Sequence, residues 1–274
     1  MTIHALAYAK LNLQLDVCDT LPNGYHTIRS IVQTIDLADH IAISLAPDVR
    51  VLCSARLDGT NIAEVALRKL LVAKQSNTGV SVWIEKRIPM GAGLGGGSSN
   101  AAAVLSIVNR LIPPLVPKHQ LVEIAREVGS DVPLFLTGGC LSLVGTGHPE
   151  RQHALRSETF VVFAPDIHCS TKDVYNEWQP GDSAGQTGTL GINHLAGAAE
   201  RICPDLGEIR LALCELGSLY SGMTGSGSAF FAAFSDGDCA RAAYEKLTRQ
   251  DLRGRVYYCQ PTQFGFVELP ACDT

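Results

Sequence analysis

The sequence predicts an α+β protein of two domains, and three observations support this prediction. Helix-like and strand-like periodicities are interspersed in both halves of the chain, with no sequence repeat. A polar, irregular segment at 145–157 separates the halves, and a buried-strand run at 160–164 follows it. At 274 residues the chain is long enough to bury two hydrophobic cores. We therefore expect domains at 1–155 and 156–274.

The first half begins with a long strand. Apolar residues occupy the odd positions from Ile3 to Val17, and the residues between them are mostly polar, which is a period of two. Lys10 and Asn12 are therefore expected on the same strand face. Residue type and periodicity predict the other elements of this half. They are a turn at 21–25, strands at 41–45, 80–85 and 138–144, and helices at 61–72, 101–111 and 118–128.

The second half is predicted in the same way. Its first strand is the apolar run at 160–164, and a helix is expected after Ser170 and Thr171. Residues 180–191 form a loop rich in Gly, Asp, Ser and Thr. The remaining predictions are helices at 193–201, 205–216 and 238–248 and a strand at 229–234.

Composition excludes several functional classes. A net charge of -5 gives no general field for polyanions, so nucleic acid is not an expected partner. The first residues do not have the pattern of a secretion signal, and no run is long enough to span a membrane. The nine cysteines include no C-x-x-C pair, which argues against a disulfide framework and a zinc site. These features predict a cytoplasmic protein.

A glycine-rich loop at 89–103 is the strongest local signal. Five glycines within seven residues lead into two serines and an alanine-rich helix. Glycine lets backbone NH groups approach a ligand closely, and a helix start attracts anions, so phosphate is the expected ligand. Ser98 or Ser99 is expected to cap the helix. The candidate phosphate-binding residues are Gly91, Gly93, Leu94, Gly95, Gly96, Gly97, Ser98 and Ser99.

Two better-known phosphate loops match this sequence poorly. Gly91, Gly93 and Gly96 fit G-x-G-x-x-G, but the segment about 20 residues later, at 111–117, lacks the acidic residue of a dinucleotide fold. The Walker pattern fails because no Gly-Lys-Ser or Gly-Lys-Thr follows the glycines. The loop is thus a phosphate loop of a third kind, or a flexible surface loop.

Phosphoryl transfer also needs a cation and a carboxylate near the transferred group. Lys10 interrupts an otherwise apolar strand, although a lysine on a solvated face is the commoner case. Asp131 lies in an apolar bend, where it is either a functional acid or a capping or turn residue. A second small-residue turn, 224–228, suits either a substrate phosphate or a tight hairpin.

Three motifs in this order resemble those of the GHMP kinase superfamily. They are Ala9-Lys-Leu-Asn12, the loop Pro89 to Ala103, and Gly222 to Ser228. The resemblance spans nearly the whole chain and implies a two-domain kinase with its active site in the cleft between the domains. It also implies ATP and Mg²⁺ as cofactors and an alcohol as acceptor.

A narrower resemblance is to the branch of this superfamily that acts in the non-mevalonate route to isoprenoid precursors. It rests on Asn23-Gly-Tyr-His26, Gly129-Ser-Asp-Val-Pro133, and Ser170-Thr171 with Val174-Tyr175. It implies phosphorylation of the 2-hydroxyl of a cytidine-diphosphate-linked sugar alcohol, hence a small-molecule partner. The enzyme would be a monomer or a weak homodimer.

The resemblance assigns roles by position. Asp131 is the expected base or orienting carboxylate, Lys10 its cationic partner, and Asn12 a residue that positions the acceptor. Tyr25 and Tyr175 are expected to sandwich the cytosine while His26 binds its polar edge. Further expected contacts are Thr171, Gly225 and Ser226 to the substrate and Asn61 and Lys86 to the adenosine. Asn100 stands where many relatives have aspartate, so the metal ligands stay open, with Ser98 or Ser99 assisting.

Three alternatives remain at this point. One is another GHMP kinase, such as a homoserine kinase, which would not need Tyr25, His26 and Tyr175 together. Another is a catalytically silent protein that keeps the loop to bind a nucleotide. The third is an oxidoreductase with a dinucleotide fold.

Overall fold

The computed structural model describes residues 1–22, 24–56, 59–183 and 187–270. These residues form two sheets and eight α-helices. The strands are β1 (Thr2–Thr20), β2 (His26–Ala46), β3 (Arg50–Cys53), β4 (Gly79–Glu85), β5 (Cys140–Gly145), β6 (His148–His153), β7 (Thr159–Pro165), β8 (Tyr220–Met223), β9 (Phe230–Phe234), β10 (Gly254–Cys259) and β11 (Phe266–Glu268). The helices are α1 (Ile62–Ala73), α2 (Gly96–Leu111), α3 (Lys118–Val128), α4 (Val132–Thr137), α5 (Thr171–Glu177), α6 (Ala196–Ile202), α7 (Asp205–Cys214) and α8 (Gly237–Thr248).

The first sheet has the order β11-β1-β2-β4-β3, and β5 pairs with a further stretch of β2 and carries β6. Its pairs are antiparallel except β3 with β4. Helices α1, α2, α3 and α4 pack in the first core, where α2 contributes an almost wholly buried run from Ala101 to Leu105. Small alanines let this helix lie close to β1 and α1.

Strand β1 contacts three hydrophobic clusters, which the sequence pattern alone did not predict. Ala5 and Ala7 pack in the first core, Leu11 and Leu13 in a cluster between the sheets, and Leu15 in the core of the second half. Irregularities in the register with β2 fall between Tyr8 and Ala9 and between Asn12 and Gln14. A β-bulge shifts which residues face each side, so a single strand supports both halves of the molecule.

The second sheet has the order β10-β7-β9-β8 and is antiparallel throughout. Strands β7 and β9 are buried along their whole length, as their continuous apolar sequences predict. Helices α5 to α8 pack around this sheet and complete the second core. The predicted helices and strands of this half are confirmed to within a few residues.

The polar segment at 145–157 is not irregular, contrary to the sequence prediction. It contains β6, which pairs with β5 and extends the first sheet. The chain also returns to that sheet at its end, where β11 pairs with β1. Such pairing between distant strands has no local signal, and β6 is too polar to show one. The boundary at 155/156 falls between β6 and β7 and stays a prediction.

Within the described ranges, no helix combines the length and apolar character needed to cross a membrane.

Candidate active site

The glycine-rich loop leads directly into α2. Gly91, Gly93 and Gly95 have φ angles of 66°, 74° and 73°, in the left-handed region that glycine adopts without strain. Gly95 is the N-cap of α2, and no side chain caps this helix. The prediction that Ser98 or Ser99 caps it is therefore wrong. The first turn of α2 keeps the NH groups and positive dipole end that attract an anion.

The two serines of the loop have different environments. Ser99 is buried, and its hydroxyl donates to Gly265 O at 3.2 Å. Ser98 is partly exposed in the first turn of α2. Of the two hydroxyls, only that of Ser98 is thus placed to meet a ligand from solvent.

The second glycine turn, 224–228, packs against the first. Thr224 Oγ1 accepts from Asn12 N at 2.9 Å and donates to Gly93 O at 3.3 Å. A Cβ on Gly93 would lie 2.2 Å from Thr224 O, which leaves no room for a side chain. Gly225 also has a positive φ, 58°, and a Cβ on it would lie 3.1 Å from Gly93 O. The structure thus joins two turns that are more than 100 residues apart in sequence.

Lys10 lies where these two turns meet. If Gly95 carried a Cβ, that atom would lie 3.1 Å from the Cγ of Lys10. A Cβ on Gly225 would lie 3.2 Å from the Nζ of Lys10. The ammonium donates to Asn12 Oδ1, and Asn12 Nδ2 donates to Ser30 Oγ at 2.8 Å. The prediction that Lys10 and Asn12 share a face is confirmed, and the solvated alternative is wrong because Lys10 is 3% exposed.

Asp131 acts electrostatically on Lys10. Burial lowers the pKa of Lys10, and the Asp131 carboxylate opposes this by favouring the charged ammonium. Asp131 is the N-cap residue of α4, but its side chain makes no capping hydrogen bond. The side chain therefore does not cap α4, and the residue stays partly exposed near the buried ammonium of Lys10. The role of Asp131 as a functional acid stays a prediction.

Helix α5 brings the second half of the molecule to this centre. Its N-cap is Ser170, and Thr171 Oγ1 lies 2.8 Å from Ser226 Oγ in the second glycine turn. Burial, followed by the charge of Asp131, raises the pKa of Tyr175 to about 12. Tyr175 therefore lies close enough to Asp131 to be affected by its charge, and it stays protonated at neutral pH.

The aromatic residues of the predicted cytosine site come together in part, and the sandwich of the base by Tyr25 and Tyr175 stays a prediction. The His26 ring stacks on Tyr175 with a centroid distance of 5.4 Å and an angle of 28°. Trp178 meets His26 edge-on at 5.3 Å. Tyr25 is 67% exposed. Asn23, part of the motif that carried the narrower resemblance, lies outside the described residues.

Trp178 and Asp39 are residues of the site that the sequence did not indicate. Trp178 follows Tyr175 by one helical turn, a spacing that offered a weak signal. Asp39 is fully buried and forms an ion pair with Lys86. Its other contacts are Asn100 Nδ2 at 2.9 Å, Arg87 N at 2.8 Å and Ile88 N at 2.9 Å.

Lys86 and Asn61 are both engaged within the protein. Lys86 Nζ is paired with Asp39 and also donates to Asn100 Oδ1 at 3.3 Å. A Cβ on Gly96 would lie 3.0 Å from this Nζ. Asn61 is the N-cap of α1, and its Oδ1 accepts from Ala63 N at 3.0 Å. The ion pair thus braces the start of the phosphate loop, and the predicted adenosine contacts of Lys86 and Asn61 stay predictions.

A cavity of about 410 Å³ adjoins the loop. It is lined by Ala55, the segment from Lys86 to Met90, the segment from Ala164 to His168, and Arg255. Among the described residues, no group of three or more His, Cys, Asp and Glu side chains is arranged to hold a metal ion. Asn100 cannot act as a free ligand either, since both of its amide atoms are bonded to Lys86 and Asp39.

Comparisons with known proteins agree with this geometry. The GHMP kinases N terminal domain matches residues 61–139, and the GHMP kinases C terminal domain matches residues 182–253. A 4-diphosphocytidyl-2-C-methyl-D-erythritol kinase from Thermoanaerobacter pseudethanolicus is 34% identical over 265 residues, which cover 89% of this chain and 92% of that protein. One from Geobacter sulfurreducens is 36% identical over 262 residues, covering 88% and 93%.

Solved structures give the same result. A 4-(cytidine 5'-diphospho)-2C-methyl-D-erythritol kinase superposes with a TM-score of 0.82 at 34% identity and covers 94% of this chain and 98% of its own. A homoserine kinase from Cytophaga hutchinsonii shares the fold, with a TM-score of 0.75 at 17% identity over 98% and 97% of the two chains. The dinucleotide-fold alternative is therefore wrong. The chain belongs to the GHMP kinases and, within them, to the family of the 4-diphosphocytidyl-2-C-methyl-D-erythritol kinases.

Proposed function

We propose that this enzyme transfers the γ-phosphoryl group of ATP to the 2-hydroxyl of 4-diphosphocytidyl-2-C-methyl-D-erythritol, a step of the non-mevalonate route to isoprenoid precursors. The observation that carries the proposal is the position of Lys10 where both glycine turns meet, with its ammonium under the electrostatic influence of Asp131. The names of the relatives support the acceptor. A catalytically silent nucleotide-binding protein is disfavoured, because burying the charged Lys10 near a carboxylate costs folding free energy and such arrangements cluster at functional sites.

The phosphates of ATP bind at the glycine loop. The first-turn NH groups of α2 and the backbone of Gly91 to Gly97 surround the anion, and the helix dipole favours its charge. The adjoining cavity of about 410 Å³ has room for the adenosine. In this proposal the transferred phosphoryl group lies towards Lys10, whose ammonium stabilises the charge that develops during transfer.

Asp131 acts on the acceptor. Its carboxylate accepts a hydrogen bond from the attacking hydroxyl and takes its proton as the oxygen bonds to phosphorus and ADP leaves. The Asp131 carboxylate favours the charged form of Lys10, and Asn12 orients Lys10. Transfer is direct and in line, with no covalent enzyme intermediate.

Mg²⁺ is part of the proposal, although few protein oxygens fit it. The Ser98 hydroxyl is available as a ligand, whereas Asn100 is hydrogen-bonded to both Asp39 and Lys86. Because Mg²⁺ is commonly held through substrate phosphates, the ion would be bound mainly by ATP with Ser98 assisting. It would neutralise phosphate charge there.

The cytidine end of the acceptor binds at the aromatic cluster of His26, Tyr175 and Trp178, with Tyr25 at its exposed margin. Stacking attracts any base, and His26 supplies a polar edge that selects cytosine. Thr171, Gly225 and Ser226 lie between this cluster and Lys10, where the diphosphate must pass. A cytoplasmic location and a monomeric or weakly dimeric state complete the proposal.

The test is ADP release from ATP with a panel of alcohols that includes 4-diphosphocytidyl-2-C-methyl-D-erythritol, homoserine and mevalonate. We expect turnover with the cytidine substrate alone, and phosphorus NMR of the product should show a new phosphomonoester on the 2-oxygen. Preferred turnover of homoserine or mevalonate would overturn the proposal.

A further inference from the structure

Two cysteine thiols contact each other close to the start of α5, on the acceptor side of the site. Cys169 Sγ donates to Cys203 Sγ at 3.7 Å, and both residues are free cysteines. Cys169 lies between β7 and α5, and Cys203 is the C-cap of α6. No other pair of cysteine sulfurs in the described part of the chain is in hydrogen-bond contact.

The position of Cys169 links this pair to the substrate site. Ser228 Oγ donates to Ile167 O at 2.5 Å, and Thr171 Oγ1 contacts Ser226 Oγ at 2.8 Å. The segment that carries Cys169 is therefore fastened on both sides to the second glycine turn. A change at Cys169 must be transmitted to Thr171, two residues away.

We propose that Cys169 and Cys203 form a modification site, at which a peroxide oxidises the two thiols to a disulfide that weakens acceptor binding. The affinity part of this statement rests on the proposed function, whereas disulfide formation does not. A disulfide needs sulfurs about 2.05 Å apart, so the two sulfurs must approach each other by roughly 1.7 Å. In this proposal part of the approach is a movement of the segment that carries Cys169, which strains the hydrogen bond between Thr171 and Ser226.

The reaction begins at Cys203, which is partly exposed, whereas Cys169 is 3% exposed. Burial, and then the hydrogen bond to Cys203, raises the pKa of Cys169 to about 12, so Cys169 is a poor first nucleophile. The Cys203 sulfur attacks one peroxide oxygen, and water and a sulfenic acid form. The Cys169 sulfur then attacks the Cys203 sulfur, and a second water leaves. The two thiols lose two electrons and two protons, and the peroxide is reduced to water.

The experiment exposes the full-length enzyme to hydrogen peroxide in a background in which the exposed Cys214 and Cys239 are replaced by serine. We expect a peptide linked through Cys169 and Cys203, a loss of about 2 Da that dithiothreitol reverses, and about a tenfold rise in KM for the cytidine substrate with KM for ATP unchanged.

Cys203→Ser is the matched control. It should keep the basal activity and lose both the linked peptide and the change in KM, and Cys169→Ala should do the same. A link absent from the parent, or a KM that changes equally in Cys203→Ser, would overturn the proposal. If the linked peptide forms but the enzyme phosphorylates another alcohol, the modification site stands and the proposed acceptor fails.

Discussion

The glycine-rich side of the site and the aromatic side are held by different kinds of contact. On the glycine side, the backbones of the two glycine turns are in direct contact, because Gly93 lies so close to Thr224 O that no Cβ would fit. On the aromatic side, the rings of His26, Tyr175 and Trp178 meet through side chains alone, and Tyr25 is largely exposed. Backbone contacts fix a rigid binding site, whereas rings adjust by rotation. We therefore expect a preformed nucleotide site and an acceptor site that closes on its substrate.

The largest expected effect lies where the two sides meet. Asp131→Asn keeps the shape of the side chain but cannot accept the proton, so we expect turnover to fall by about 10²- to 10⁴-fold. Binding of ATP, measured by calorimetry, should change little. Asp205→Asn, an exposed carboxylate at the start of α7, is the control and should keep full activity. Full turnover in Asp131→Asn would refute the role of this residue.

The next largest effect concerns the support of the glycine side. Asp39→Asn leaves Lys86 without its charge partner in a buried position, and removal of one member of a buried pair costs about 3–5 kcal/mol of unfolding free energy. Urea unfolding measures this loss. Asp48→Asn breaks an exposed pair with Arg50 and should cost about 1 kcal/mol or less. Equal losses in the two variants would mean that the Asp39 pair does not brace the loop.

Gly93→Ala tests the backbone contact itself. The new Cβ would need to displace Thr224 O from 2.2 Å, and the φ of 74° adds about 1–2 kcal/mol of strain. We expect ATP affinity to fall by more than about tenfold, because 1.4 kcal/mol already corresponds to that factor. Gly217→Ala, with a φ of 70° and no atom within 4 Å of the new Cβ, measures the strain without the clash. Normal ATP affinity in Gly93→Ala would contradict the rigid-site account.

The smallest effect is expected on the aromatic side. His26→Ala removes the ring stacked on Tyr175, and loss of one stacking partner costs about 1–3 kcal/mol of base binding. KM for the cytidine substrate should rise while KM for ATP stays constant. His119→Ala, exposed on α3, is the control and should change neither constant. An unchanged KM for the cytidine substrate in His26→Ala would exclude this cluster as the cytidine site.

The same contrast explains what the sequence could predict. The glycine loop, the helix after it, and the shared face of Lys10 and Asn12 follow from residues adjacent in the chain, and the structure confirms them. The Asp39 pair with Lys86 joins residues 47 positions apart and has no local signal. The stacking of His26 on Tyr175 depends on how two halves of the molecule pack.

The predicted helix cap failed for a related reason. Serine at a helix start is a strong capping signal, but the cap of α2 is Gly95, with a positive φ, three or four residues before the predicted Ser98 or Ser99. The helix thereby includes Gly96 and Gly97 in its first turn and leaves that turn without a capping side chain. Glycine thus occupies the cap position that serine generally favours, and the backbone NH groups of the first turn stay open to an anion.

The separation of the two sides is tested most directly by inhibition with cytidine 5'-monophosphate, which carries the base but no acceptor alcohol. Steady-state rates are measured with this nucleotide at varied concentrations of ATP and of the cytidine substrate. We expect inhibition that is competitive with the cytidine substrate and not with ATP, and that is lost in His26→Ala. Inhibition competitive with ATP, and unchanged in His26→Ala, would contradict the separation of the two sides.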